Sequence, residues 1–269
     1  MDLQLRGHTA IVVGSARGIG LAIAEEFARA GCNLALVDRE AILPGVLQEL
    51  TTTHQIRGSA FVGDVTKFDA MQNAAAQFQR DLGRLDHLVY AVAIGSGKFG
   101  FPFWNLTPAD WPRVLEINVL GAVNTLHAFA PYYVEAKTGT MLLIASVAGQ
   151  IGSQTDPPYS ASKAALINFA QCAAKDFAPY GVRVNTLCPG MVKTELNRAV
   201  WQSWADQQSP ETWRSYDDWA GDKVRKVVPL GRWQEPADIA AMTVFLASAR
   251  ANNVTGQTIN VDGGFVMHW

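Results

Sequence analysis

Residues 9–38 read TAIVVGSARGIGLAIAEEFARAGCNLALVD. The opening TAIVV is a short apolar run, as expected of a strand buried on both faces. Glycines at 14, 18 and 20 follow at once, and LAIAEEFARA then repeats apolar residues at helical spacing until Gly31 closes the turn. NLALVD, 33–38, is a second buried strand ending in an acid. Strand, helix and strand make a right-handed crossover and so a parallel sheet. The turn between them, Gly14-Ser15-Ala16-Arg17-Gly18-Ile19-Gly20, suits a pyrophosphate: glycines let backbone approach it, and the helix start offers N–H groups and a positive dipole end. The spacing is G-x-x-x-G-x-G, not G-x-G-x-x-G, and by itself also fits a plain tight turn.

Asp38 falls 24 residues after Gly14, where an acid would bond a ribose 2′-hydroxyl and repel a 2′-phosphate. That favours NAD. Arg17 and Arg39 lie close by and pull towards NADP, which stays possible.

Outward from this unit the alternation continues. Residues 41–57 and 67–83 read as helices around a third strand, SAFVGDV, ending near Asp64; the loop of Asp64 and Val65 could cap an adenine. LDHLVYAVAI, 85–94, is a fourth strand that includes Ala91, and GSGKFG, 95–100, a flexible turn. A helix start at Thr107-Pro108 opens an amphipathic stretch to 130 that includes Asn118. TMLLIAS, VRVNTLCPG and GQTINVDGG read as strands five to seven, with a helix over 159–178. The expected fold is α/β: one Rossmann-like, doubly wound parallel sheet of about seven strands in a single domain, 1–269. In such sheets ligands bind at the carboxyl ends of strands. Gly14, Asp38, Asp64, Ala91, Ser146 and Pro189 all fall there.

On the helix after Pro157-Pro158, Tyr159 and Lys163 are four residues apart and share one face. A cation beside a phenol lowers its pKa towards a working range, and Ser146 at the neighbouring strand end can bond the same substrate oxygen. A bare Y-x-x-x-K matches by chance far more often than not; the surrounding pattern gives it weight.

Residues 195–228 hold Trp201, Trp204, Trp213 and Trp219, half of the eight tryptophans in roughly an eighth of the chain. They read as an inserted helical substrate lid, with the tryptophans either walling a substrate or packing inward.

The chain is 49% apolar and 17% charged, with a net charge of −2. That provides for a large core and gives no basic stripe for nucleic acid. Cys32, Cys172 and Cys188 are scattered, so neither a disulfide framework nor a metal site is expected. No run approaches the roughly 18 apolar residues of a membrane span, and no signal peptide is expected at MDLQLRGHTA. A cytoplasmic protein acting on a small molecule, with no membrane partner, is the expectation.

Taken together, VGSARGIG at 13–20, DV at 64–65, INV at 117–119, IAS at 144–146, YSASK at 159–163, PG at 189–190 and VDGG at 261–264 resemble the classical short-chain dehydrogenase/reductase family over roughly residues 5–265. The resemblance implies Tyr159 as acid/base, Lys163 lowering its pKa and bonding the nicotinamide ribose, Ser146 orienting the substrate oxygen, and Asn118 holding a water that links Lys163 to solvent. It implies that Gly14, Ile19 and their neighbours cradle the pyrophosphate. Asp64 and Val65 would approach the adenine, and Val192 and Thr194, beyond Pro189-Gly190, the nicotinamide. It also implies a homotetramer or homodimer, with the closing FVMHW reaching a neighbouring subunit. Two departures stand out. Val13 replaces the family's usual Thr, and Tyr90-Ala91-Val92-Ala93 replaces Asn-Asn-Ala-Gly, so both ends of one bridge under the cofactor become apolar. The expected activity is reversible hydride transfer with a secondary alcohol, polyol or sugar, or the matching ketone. The rivals are an NADPH-dependent 3-oxoacyl-carrier reductase, for which Arg198, Arg214, Lys223, Arg225 and Lys226 speak, and a catalytically silent NAD(P)-binding subunit.

Overall fold

Seven parallel strands form one sheet in the order β3-β2-β1-β4-β5-β6-β7. They are β1 Thr9–Val13, β2 Asn33–Asp38, β3 Gly58–Val62, β4 His87–Tyr90, β5 Gly139–Ile144, β6 Val182–Pro189 and β7 Thr258–Val261. The nine α-helices are α1 Gly18–Arg29, α2 Leu43–His54, α3 Phe68–Leu82, α4 Pro112–Leu115, α5 Gly121–Ala136, α6 Pro157–Phe177, α7 Glu195–Ala205, α8 Tyr216–Val227 and α9 Pro236–Ala247 among the described residues. The computed structural model describes residues 3–98, 100–153 and 155–267, with Leu196 described in its backbone only. His268 and Trp269, the end of FVMHW, and Phe99 of the GSGKFG turn lie outside the described residues.

Alternation along each strand divides the core in two. Ile11 and Val13 of β1, with Ala35 and Val37 of β2, face Met71 and Phe78 of α3, Phe129 of α5 and Leu166 of α6. Ala10, Val12, Leu34 and Leu36 face the opposite way, onto Ile23 and Phe27 of α1 and Ile239 and Val244 of α9. A sheet covered on both faces must be apolar on both, which is why its strands lack polar alternation.

Two strands are shorter than the sequence suggests. β3 stops at Val62 because Asp64 turns the chain: its Oδ1 accepts Thr66 N–H at 2.9 Å. β4 stops at Tyr90, with Ala91 N–H still reaching Val13 C=O at 2.9 Å. The stretch 107–130 is not one helix. A 3-10 turn, α4 and a π-helical turn at Glu116–Leu120 precede α5.

The N-terminal end of the sheet is fastened by Asp86. Its carboxylate, buried on a residue 5% exposed, accepts Thr9 N–H at 2.8 Å and both Arg84 Nε and Nη2 at 2.7 and 2.6 Å. Removing the carboxylate strands a buried strand donor. Asp86→Ala is expected to lower the unfolding free energy by about 2–3 kcal/mol, read from urea denaturation. A loss below about half a kcal/mol, the size of an ordinary surface change, would rule out this fastening role.

Candidate active site

The carboxyl ends of β1, β2, β4, β5 and β6 gather the candidate residues on one edge. Gly14 takes φ +88° and its would-be Cβ lies 2.9 Å from Val92 N and Cγ2. A Cβ on Gly20 would overlap the Gly14 carbonyl oxygen. The glycine turn is therefore wound against itself and against the end of β4, with no room for a side chain at 14 or 20. Ser15 is buried, its hydroxyl donating to Val37 C=O at 3.3 Å. Ala16 N–H donates to Asp38 Oδ2 at 2.8 Å. Helix α1 starts at Gly18 with no side-chain cap from Arg17, which leaves the amides of Gly18, Ile19 and Gly20 turned to the open turn. A bare cradle followed by an uncapped helix fits the pyrophosphate of a dinucleotide.

The side-chain bridge between Val13 and the end of β4 is replaced by a different contact. Val13 and Tyr90 stay paired in the sheet. Tyr90 is fully buried, and its hydroxyl donates to Ile117 C=O at 2.6 Å. Ile117 lies in the π-helical turn, where an extra residue puts a backbone carbonyl out of ordinary helical register. The apolar description of this end was therefore incomplete: the ring fills the space and the hydroxyl takes the carbonyl. Gly121 makes room, since a Cβ there would stand 2.5 Å from that oxygen.

The next residue is Asn118, also fully buried. Its Oδ1 accepts Ile94 N–H at 2.9 Å, and its Nδ2 donates to Ile94 C=O and to Ser162 Oγ, each at 2.9 Å. Ser162 in turn donates to Tyr159 C=O at 2.7 Å. On the other side, Asp156 caps α6, accepting Tyr159 N–H at 3.3 Å and Ser96 N–H at 2.7 Å. Asp156 ahead of two prolines is a helix-start signature that sequence reading left unused. Tyr90 and Ser162 carried no such signal, because their partners are distant groups brought in by the fold.

Tyr159 and Lys163 share the inner face of α6. Lys163 is 1% exposed, its Nζ lies 5.5 Å from the Tyr159 ring centroid and donates to Ile144 C=O at 2.7 Å. Burial pushes the ammonium down to about 7. Burial pushes the Tyr159 phenol up to about 12, opposed by a hydrogen bond with Ser146. Burial is the largest influence on the phenol, and the Lys163 ammonium bonds a carbonyl of the sheet. Ser146 ends β5 and its Oγ also accepts Ala148 N–H at 3.1 Å. At neutral pH the phenol holds its proton beside a serine hydroxyl, a pair that can give hydrogen bonds to one oxygen.

Flanking residues close the edge. Hydrogen bonding from Thr66 holds Asp64 below the usual carboxylate range, and Val65 C=O accepts Asn124 Nδ2 at 3.0 Å. Beyond Pro189, Gly190 N–H bonds Gln234 Oε1 at 2.9 Å, and Val192 bridges to Gln234. Thr194 caps α7 through Asn197 N–H at 3.3 Å. The region 195–228 folds as α7 and α8 joined by a turn. Its tryptophans largely pack on one another: Trp201 stands edge-on to Trp213 and Tyr216 at 6.3 and 5.8 Å, and Trp204 lies 6.0 Å from Trp219.

A doubly wound sheet with such a turn and such a tyrosine–lysine pair defines the nicotinamide-dependent oxidoreductases of Rossmann type. A family model described as enoyl-(acyl carrier protein) reductase matches residues 13–266. D-threitol dehydrogenase of Mycolicibacterium smegmatis is 32% identical over 266 residues, 99% of this chain and 95% of that protein. The structure of L-sorbose reductase from Gluconobacter frateurii, complexed with NADPH and L-sorbose, superposes with a TM-score of 0.90 at 26% identity, all of both chains covered. Gluconate 5-dehydrogenase from Burkholderia cenocepacia, in complex with NADP and tartrate, gives 0.82 at 30% identity over 98% of this chain and 97% of that one. The chain belongs to the short-chain dehydrogenase/reductase family, NAD(P)-dependent enzymes acting on hydroxyl and carbonyl groups.

Two outcomes follow from this geometry. Tyr90→Phe leaves the Ile117 carbonyl without its donor, and is expected to lower stability by about 1–2 kcal/mol in urea unfolding; an unchanged midpoint would show that the hydroxyl is dispensable. Lys163 supplies a pH signature. An unfolded lysine titrates near 10.4, so from about pH 7 upward the unfolded chain keeps a proton that the folded chain sheds. Stability therefore rises with pH from about 7 to about 8.5. Above that, Cys32 and Cys188, raised by burial to about 12, add the opposite slope. Without added nucleotide, the difference between wild type and Lys163→Met should shrink steadily as pH rises through this window. A flat difference would mean that the lysine is not destabilised by burial.

Proposed function

We propose that the protein catalyses reversible hydride transfer between a nicotinamide dinucleotide and a secondary alcohol of a polyol or sugar, or the matching ketone. The observation that carries this reading is Tyr159 one helical turn from the buried Lys163, its ring 5.5 Å from Nζ, with Ser146 beside the phenol, at the same sheet edge as the glycine cradle. The bound dinucleotide would supply or accept the hydride. For its part, Tyr159 gives its phenolic proton to the carbonyl oxygen during reduction, and as phenolate takes the hydroxyl proton during oxidation. Ser146 holds that oxygen by a second hydrogen bond. Lys163 supplies positive charge that favours the phenolate when the proton leaves. Asn118 keeps the π-helical turn and loop 94 in place behind α6.

Gly14, Ser15, Arg17, Gly18, Ile19 and Gly20 would hold the pyrophosphate, with Asp64, Val65 and Ala91 towards the adenine side and Pro189, Gly190, Val192 and Thr194 towards the nicotinamide. Asp38 supports NAD: its carboxylate lies beside the cradle, held on Ala16 N–H and Glu40 N–H, where it would accept from ribose hydroxyls and oppose a phosphate. We read α7 and α8 as a lid over the substrate side, stiffened by their own tryptophans. The polyol and sugar substrates named for D-threitol dehydrogenase, L-sorbose reductase and gluconate 5-dehydrogenase support the substrate class. Four of the five cations that speak for the oxoacyl-carrier reading are engaged elsewhere: Arg214 and Arg225 both pair with Asp222, Arg198 lies over Tyr216 and Lys223 over Trp219. Exposed Leu120 ahead of α5 and Phe245 on α9 suit burial in a homodimer or homotetramer, and three free cysteines suit a reducing cytoplasm.

A panel of polyols, secondary alcohols and keto-sugars, assayed with both nucleotides, tests the reading. Tyr159→Phe should bind nucleotide as wild type does and lose turnover by about 100-fold or more. Undiminished turnover in that variant would sink the assignment.

A further inference from the structure

Three acids and two arginines meet at the outer end of the glycine cradle. β2 ends in Asp38, and Glu40 N–H donates back to Asp38 Oδ1 at 3.2 Å, folding Arg39 and Glu40 over the strand end. One oxygen of Glu40, Oε1, lies 3.4 Å from Arg17 Nη2 and 3.4 Å from Arg39 Nε. Arg17 Nη1 also reaches Glu195 Oε2, at 3.5 Å, on the first residue of α7. The two cations that a 2′-phosphate would recruit are thus already turned onto a single carboxylate, and one of them is shared with a second.

We propose that Glu40 is a cofactor-specificity residue: by holding Arg17 and Arg39 it keeps them from a 2′-phosphate and so disfavours phosphorylated dinucleotides. This rests on the reading that residues 14–38 bind a nicotinamide dinucleotide. Asp38, Glu40 and Glu195 against Arg17 and Arg39 leave the five side chains with one net negative charge. A phosphate monoester brings about −1.5 to −2 more at pH 7. It would have to take both arginines from Glu40 with Asp38 unneutralised beside it. Ribose hydroxyls meet no such opposition. The pairs are solvent-exposed, Arg17 and Arg39 each 60% by side chain, so they add little to stability. Their effect lies in where the charge stands, and it is screened by salt.

Wild type and Glu40→Gln, checked for equal melting, are titrated with NADH and with NADPH by tryptophan quenching and energy transfer to the reduced nicotinamide. Glu40→Gln should tighten NADPH about tenfold at low salt and leave NADH within about twofold. Raising the salt should shrink the gain, and adding Arg17→Ala should remove most of it. An unchanged NADPH-to-NADH ratio, or equal tightening of both, overturns the proposal. A wild type that already prefers NADPH overturns the NAD reading of Asp38, yet a further rise in that preference with Glu40→Gln upholds the role of Glu40. Binding of neither nucleotide by wild type overturns the cradle reading and the proposal with it.

Discussion

A lysine taken out of water beside the sheet is the constraint around which the site is arranged. Lys163 lies almost wholly inside, its only direct polar partner the Ile144 carbonyl among the bonds described. Burying a cation is costly unless it is hydrogen-bonded or sheds its proton. Such a residue persists only where the neighbouring backbone is fixed in place. β5 supplies the carbonyl, α6 supplies the lysine, and Asn118 and Ser162 tie α6 to the turn behind it. The same burial that depresses the lysine raises the phenol. The pair is thereby set with the phenol further from ionising, and the ammonium closer to losing its proton, than the same groups in water.

The turn carrying Asn118 shows how the fold absorbs an unusual sequence. A π-helical turn shifts a carbonyl out of helical register, and that carbonyl needs a donor. Tyr90 provides one from the adjacent strand, with Gly121 keeping the approach open. Val92, where the family pattern has a small residue, packs against Gly14 and closes the floor of the cradle. Tyrosine does two jobs here that a small amide would not: it fills volume and it satisfies a buried acceptor. Tyr90 and Gly121 are thus coupled by space, since a side chain at 121 would meet the Tyr90 hydroxyl.

Much of this was legible in the chain because it follows from local rules. TAIVV and NLALVD, parted by a glycine turn and an amphipathic helix, admit little besides a parallel crossover, and all seven strands lie close to where they were read. The helix face shared by Tyr159 and Lys163 follows from spacing alone. What escaped depends on tertiary partners. Asp64 ends β3 early through a turn bond invisible to periodicity. The stretch after Thr107 reads as one helix because a π turn leaves the apolar stripe nearly unbroken. Spacing likewise says nothing of the depth at which Tyr159 and Lys163 lie, which raises the one and lowers the other.

The distribution of charge around the edge follows the same logic of depth. Inside, single groups are held by backbone: Lys163 by Ile144, Asp156 by Ser96 and Tyr159 amides. There, a small change in solvent access moves a proton. Outside, Arg17, Arg39, Glu40 and Glu195 satisfy one another through long side chains in water, where each contact is weak and exchangeable. Arg17 is the group common to both the cradle and α7. A ligand that drew Arg17 towards the cradle would loosen its hold on the start of α7, and a shift of α7 would free Arg17 for the cradle. Each contact is weak taken singly, so what opposes a further anion there is the sum of three carboxylates around two arginines rather than any one bond.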